Sequence, residues 1–85
     1  QIVTGNGRTI KLTSLEFRVL HLLMSHPGQI METSLIVDRV WGMLGGDSNL
    51  LKNVVYRLRR KIEPDPAQPR YIQSIAGEGY MFSAT

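Results

Sequence analysis

The chain has 85 residues, no cysteine, a net charge of +3 and 42% apolar residues. That length makes one small domain with a modest core, and the lack of cysteine excludes disulfides and thiolate metal sites. The longest unbroken apolar run is three residues, against the roughly 20 that a membrane-spanning helix needs, and no charged start leads into an apolar leader.

The chain opens on Gln1 rather than Met, so a longer parent protein is expected. The missing cysteine fits a reducing, cytoplasmic setting with no membrane partner. Ile2-Val3, then Gly5-Asn6-Gly7, then Thr9 to Leu12 reads as a hairpin whose tight turn uses the positive φ open to Gly and Asn. An isolated hairpin is barely stable, so residues 1–12 are expected to lean on the helices or on strands upstream.

The first helix starts at a T-x-x-E capping box, Thr13 to Glu16, with Leu12 and Phe17 at the staple positions. Phe17, Leu20, Leu23 and Met24 form its apolar stripe, widened by Leu15, Val19 and Leu22. Pro27 and Gly28 end it by His26. Gln29-Ile30-Met31 reads as a short extended link. A second helix is expected from Thr33 to Trp41, with Thr33 as its cap and Ile36, Val37, Val40 and Trp41 facing inward. Residues 42–48 form a turn-rich loop carrying the apolar Met43 and Leu44.

The third helix begins at Ser48 or Asn49, capped by Asp47 or Ser48, and ends at Ile62, where a stretch with three prolines cannot continue it. Glu63 and Asp65 read as turn residues in that stretch. Tyr71 to Ile75 and Tyr80 to Phe82 are strands joined by Gly77-Glu78-Gly79. The fold class is therefore α+β: a truncated N-terminal β-hairpin over 1–12, a three-helix core over 13–62, and a C-terminal β-hairpin over 70–83.

The third helix carries the functional signal. At about 100° per residue, Leu51, Val55, Leu58 and Ile62 share one narrow edge, flanked by Val54. Opposite lie Asn49, Asn53, Tyr56, Arg57 and Arg60, with Lys52, Arg59 and Lys61 at the sides. Half of the chain's ten cations fall between Lys52 and Lys61, with no acid among them. Helix surfaces chosen only for solubility mix Glu with their Lys and Arg. An amide- and guanidinium-rich face is instead what a DNA major groove accepts: Arg pairs with guanine O6 and N7, and Asn with adenine N7 and N6. Two helices joined by a short turn, the second basic and half exposed, fit a helix-turn-helix, with the last hairpin as its wing. The Trp41 body belongs in the core, while its indole N–H and the Tyr80 hydroxyl have a second reading as phosphate donors.

Five pieces in order resemble the effector domain of OmpR/PhoB-type response regulators. They are Leu12-Thr13-x-x-Glu16-Phe17-x-x-Leu20, His26-Pro27-Gly28, Arg39-Val40-Trp41-Gly42, Arg57-Leu58-Arg59-Arg60-Lys61-Ile62 and Gly77-x-Gly79-Tyr80-x-Phe82. The resemblance implies a winged helix-turn-helix that binds double-stranded DNA and controls transcription in a bacterial two-component system. It implies a receiver domain upstream, a dimer on direct-repeat DNA, and contact with RNA polymerase through loop 42–48. It places base contacts on Lys52, Asn53, Tyr56 and Arg57. Phosphate contacts fall on Trp41, Asn49, Val54, Arg59, Ser74 and Tyr80, and Arg60 joins them on the exposed face. Asn49, Leu50, Val54 and Ala76 depart from the family's usual Arg, Thr, His and Arg, and Glu78 adds negative charge to the wing.

Two rivals remain open. A winged-helix protein-interaction module would keep the fold without DNA. Catalysis has little support: His21 and His26 lack acids at ligand spacing, Asp47-Ser48 makes no triad, and no phosphate-binding glycine loop occurs. No cofactor or metal is expected.

Overall fold

The computed structural model describes residues 2–5 and 8–83. Strands β1 (Ile2–Gly5) and β2 (Arg8–Lys11) pair antiparallel, with Val3 opposite Ile10. The expected turn residues Asn6 and Gly7 lie outside the described residues. Three helices follow: α1 (Ser14–Met24), α2 (Thr33–Trp41) and α3 (Ser48–Ile62). A second sheet holds β3 (Met31–Glu32), β4 (Ile72–Ile75) and β5 (Gly79–Phe82) in the order β3-β5-β4. This is a winged helix-turn-helix.

The capping box forms as the sequence requires. Thr13 Oγ accepts from the Glu16 N–H at 3.2 Å, and Glu16 Oε1 accepts from the Thr13 N–H at 3.0 Å. The α1 stripe is narrower than its apolar residues suggest: Val19, Leu20 and Leu23 are buried, whereas Met24 is half exposed. The second helix begins at Thr33, but Thr33 does not cap it. Glu32 holds the cap position without a side-chain bond, and the Thr33 N–H donates to the Glu78 carbonyl at 3.3 Å. The wing turn thus satisfies the first amide of α2, one of the four N–H groups at a helix start that have no partner within the helix. Asp47 caps α3, accepting from the Leu50 N–H at 2.8 Å.

One core joins the three helices to the second sheet. Leu23, Ile36, Leu51, Leu58 and Ile72 are fully buried, and each such side chain contributes about 1.5–3 kcal/mol. Leu51, Val54, Val55 and Leu58 are the inward edge of α3, while Ile62 is only partly covered.

The sequence places Met31 in a connecting link. In the fold, Met31 pairs with Tyr80 and Glu32 with Gly79, which makes the link an edge strand of the wing sheet. The Gly28 N–H reinforces this by donating to the Phe82 carbonyl at 2.9 Å. Gly79 is what permits the close approach, since a Cβ there would lie within van der Waals overlap of the Met31 carbonyl, a backbone group. Gly79→Ala should therefore cost about 1–3 kcal/mol through backbone displacement. Urea unfolding of the variant measures it; a midpoint equal to the wild type's would show that β3 is not held against β5 as described.

Candidate nucleic-acid interface

With its aliphatic edge locked in the core, α3 turns Asn49, Lys52, Asn53, Tyr56, Arg57 and Arg60 outward, all exposed. The side chains of Asn49, Lys52 and Asn53 make no hydrogen bond or ion pair with the described residues, so their donors and acceptors stay available. Arg60 donates to the Tyr56 hydroxyl at 3.3 Å, and its guanidinium carbon lies 5.8 Å from the Tyr56 ring centroid. That i, i+4 pair keeps both side chains on the outer face.

Between α3 and the wing runs a recess of about 350 Å³ lined by Lys52, Asn53, Tyr56, Arg59, Ser74 and Tyr80. Six of the residues read from the sequence as base- or phosphate-facing therefore meet at one groove. The Tyr80 ring is buried in the core, and its hydroxyl has no partner among the described residues. Trp41 is half-buried. Its ring packs so closely on Gly46 that a Cβ there would lie 2.5 Å from ring carbons. Its indole N–H likewise finds no acceptor among the described residues.

Three expectations need correction. Val54 is 1% exposed and belongs to the core, so it faces no phosphate. Arg59 is occupied inside the fold: Nε and Nη2 donate to the Ile72 carbonyl at 3.2 and 2.8 Å, and Nη2 also to Ser74 Oγ at 2.8 Å. It clips the wing strand to α3, and any phosphate contact is left to its remaining N–H groups. Ser74 spends its acceptor on the same clip.

The third correction concerns the charge of the face. The helix has no acid of its own, but α1 supplies one. Glu16, with a side chain 1% exposed, accepts from Arg57 Nε at 3.1 Å and from Lys61 Nζ at 2.5 Å. Lys61 also donates to the Lys11 carbonyl at 3.1 Å. Five cations between Lys52 and Lys61 therefore face one buried carboxylate, a balance of +4 rather than +5. Arg57 is half exposed and held by its Nε edge, which leaves its outer N–H groups pointing away from the pair. Burial opposes ionisation of Glu16, but the hydrogen bonds from Lys61, the Thr13 N–H and Arg57 outweigh it and hold the carboxyl below its ordinary value.

Sequence reasoning missed this carboxylate because the capping box already explained it. A signal was present: Glu16, Val19, Leu20 and Leu23 follow i, i+3, i+4, i+7, so Glu16 lies on the apolar stripe itself. Glu63, read as a turn residue, is also buried, and its carboxylate accepts from three consecutive backbone N–H groups of residues 70–72.

The two histidines are used locally. His21 stacks on Phe17 with centroids 5.7 Å apart, and His26 Nδ1 lies 3.1 Å from the Leu22 carbonyl. Among the described residues no group of His, Asp and Glu is arranged to hold a metal ion, and no helix is long and apolar enough to cross a membrane.

Comparison with known proteins agrees with this geometry. The family described as "Transcriptional regulatory protein, C terminal" matches residues 7–82. The sensory transduction protein RegX3 of Mycobacterium tuberculosis is 42% identical over 80 residues, covering 93% of this chain and 35% of that protein. The transcriptional regulatory protein CusR of Escherichia coli gives the same figures. The chain thus spans about a third of the length of the curated relatives it matches. Among solved structures, the Thermotoga maritima response regulator DrrB, an OmpR/PhoB homologue, superposes with a TM-score of 0.90 at 32% identity, covering 98% of this chain and 38% of that one. The Klebsiella pneumoniae RstA DNA-binding domain, solved in complex with the RstA box, does so at 0.85 and 26%, covering 96% and 82%. The chain belongs to the OmpR/PhoB-type family of transcriptional regulatory protein C-terminal domains.

Proposed function

We propose that this chain is the sequence-specific DNA-binding part of a bacterial two-component response regulator that controls transcription. The observation that carries the reading is the outer face of α3: free amides and cations on a helix whose opposite edge is fixed in the core, adjoining a groove shared with the wing. In this reading α3 enters the major groove. Lys52, Asn53, Tyr56 and the outer N–H groups of Arg57 meet base edges. Trp41, Asn49, Arg60, Ser74 and the Tyr80 hydroxyl meet phosphates, with the wing beside the adjacent backbone. That the RstA structure named above holds its DNA box supports this reading.

The relatives' greater length supports an upstream receiver domain, and with it a dimer on direct-repeat DNA. Met43, fully exposed in the loop between α2 and α3, supports that loop as a contact for RNA polymerase. A cytoplasmic location follows from the same role.

The test is fluorescence anisotropy on duplexes selected from a random pool. Wild-type affinity should fall steeply with salt, with a log–log slope of roughly −2 to −4 given the cations left unpaired on α3. Asn53→Ala should lose about 1–3 kcal/mol at one base pair, with thermal stability unchanged, because Asn53 bonds to nothing in the fold. Affinity for a protein alone, insensitive to salt and without duplex binding, would instead establish the interaction-module reading.

A further inference from the structure

The chain has seven acidic residues, and four are used within the fold. Glu16 pairs with Arg57 and Lys61, Glu63 accepts from the amides of residues 70–72, Asp47 caps α3, and Asp65 accepts from the Ala67 N–H. The side chains of the other three, Glu32, Asp38 and Glu78, make no hydrogen bond or ion pair with the described residues. All three line one recess of about 600 Å³ beside the wing turn, and none of its lining residues is a Lys or Arg.

Glu78 also borders a second recess, of about 380 Å³, whose lining includes Lys52 on the outer face of α3. The sign of the surface therefore changes between Lys52 and Glu78. The carboxylate cannot swing clear with its turn. The Glu78 N–H donates to the Ile75 carbonyl at 2.9 Å, its own carbonyl accepts from the Thr33 N–H, and Gly79 lies tight under Met31. From Tyr71 to Thr85 the sequence contains no Lys or Arg to offset it.

We infer that Glu78 is a specificity-determining residue that repels the phosphodiester backbone from the wing turn. The inference rests on the DNA-binding reading of α3 given above. Random-sequence binding draws almost entirely on phosphate contacts, so a fixed negative charge beside the groove penalises it with no base contact in return. A selected site, held in register by the base contacts of α3, gains from those contacts what the charge of Glu78 costs, and random duplex does not.

The experiment measures duplex binding by wild type, Glu78→Gln, Glu78→Lys and Asp65→Asn, the last removing one charge from the proline-rich link. At about 50 mM salt, Glu78→Gln should tighten random duplex roughly 3-fold and Glu78→Lys roughly 10-fold, with smaller gains on the selected site and convergence by about 300 mM. Melting temperatures should match, since the Glu78 side chain holds nothing in the fold. Unchanged binding by both Glu78 variants, or an equal gain from Asp65→Asn, would overturn the role of Glu78 while leaving DNA binding intact. Failure of the wild type to bind any duplex at low salt would overturn the DNA-binding reading itself.

Discussion

Glu63→Ala should destabilise the fold by about 3–5 kcal/mol, among the largest losses from any single side chain outside the apolar core. Glu63 is the C-cap residue of α3, with an extended backbone (φ −79°, ψ 139°) that turns the chain out of the helix. The residue is 7% exposed. Oε1 accepts from the Arg70 N–H at 2.8 Å and the Tyr71 N–H at 3.0 Å, while Oε2 accepts from the Tyr71 N–H at 3.0 Å and the Ile72 N–H at 2.8 Å. Truncation leaves three successive donors without acceptors, and one of the freed positions, Ile72, is fully buried. The damage spreads, because the Ile72 carbonyl is the acceptor that Arg59 uses to hold the wing strand against α3. Glu63→Gln should lose less, since one amide oxygen still accepts. Urea melts give both values, and a loss below about 1 kcal/mol for the alanine variant would mean that water replaces the carboxylate at little cost.

The helices were legible because each carries its own local instructions. Thr13 and Glu16 start α1, Asp47 starts α3, and the four-residue spacing of Leu51 and Val55 points one edge of α3 inward. These signals act within one turn of the chain, so a reading along the sequence finds them. What escaped it depends on residues distant in sequence. Met31–Glu32 is a strand only because Gly79 lets β5 approach, and nothing near Met31 announces that. Glu63 reads as a turn residue until the backbone of residues 70–72 folds back over it. The exposed face of α3 was placed correctly, but its electrostatics were not, because the acid that compensates it sits 41 residues away from Arg57. Charge counting along one helix is blind to such a partner. Arg59 illustrates the same point: a helical wheel sets it at the side of α3, but the strand whose Ile72 carbonyl it binds is not on the wheel.

Replacing Glu16 should have the second large effect, and one that depends on pH. Glu16→Ala removes the N3 member of the capping box, leaves Arg57 and Lys61 without their shared carboxylate, and opens space in the core beside Val19 and Leu20. Breaking a wholly buried ion pair costs about 3–5 kcal/mol, but both cations here reach solvent, so the pair contributes less and the total expected loss is about 3 kcal/mol. Because the folded-state pKa of Glu16 lies below the ordinary value of 4.5, the carboxylate's contribution is fully present above that value. It fades as pH falls below it, through the depressed folded-state pKa. Wild-type stability should therefore decline on acidification from pH 5 in part through this one group. Glu16→Gln, which keeps an acceptor for the Thr13 N–H, should be less stable than the wild type at pH 7 and close the gap as pH falls. The same substitution frees Arg57 and Lys61 from their counter-charge, so DNA affinity at low salt should rise and its salt slope steepen by up to about one unit, while discrimination at the base pair read by Arg57 weakens. Equal pH profiles for the two proteins would mean that the carboxyl titrates alike in the folded and unfolded chains. Unchanged discrimination would mean that Glu16 holds α3 in place without aiming Arg57.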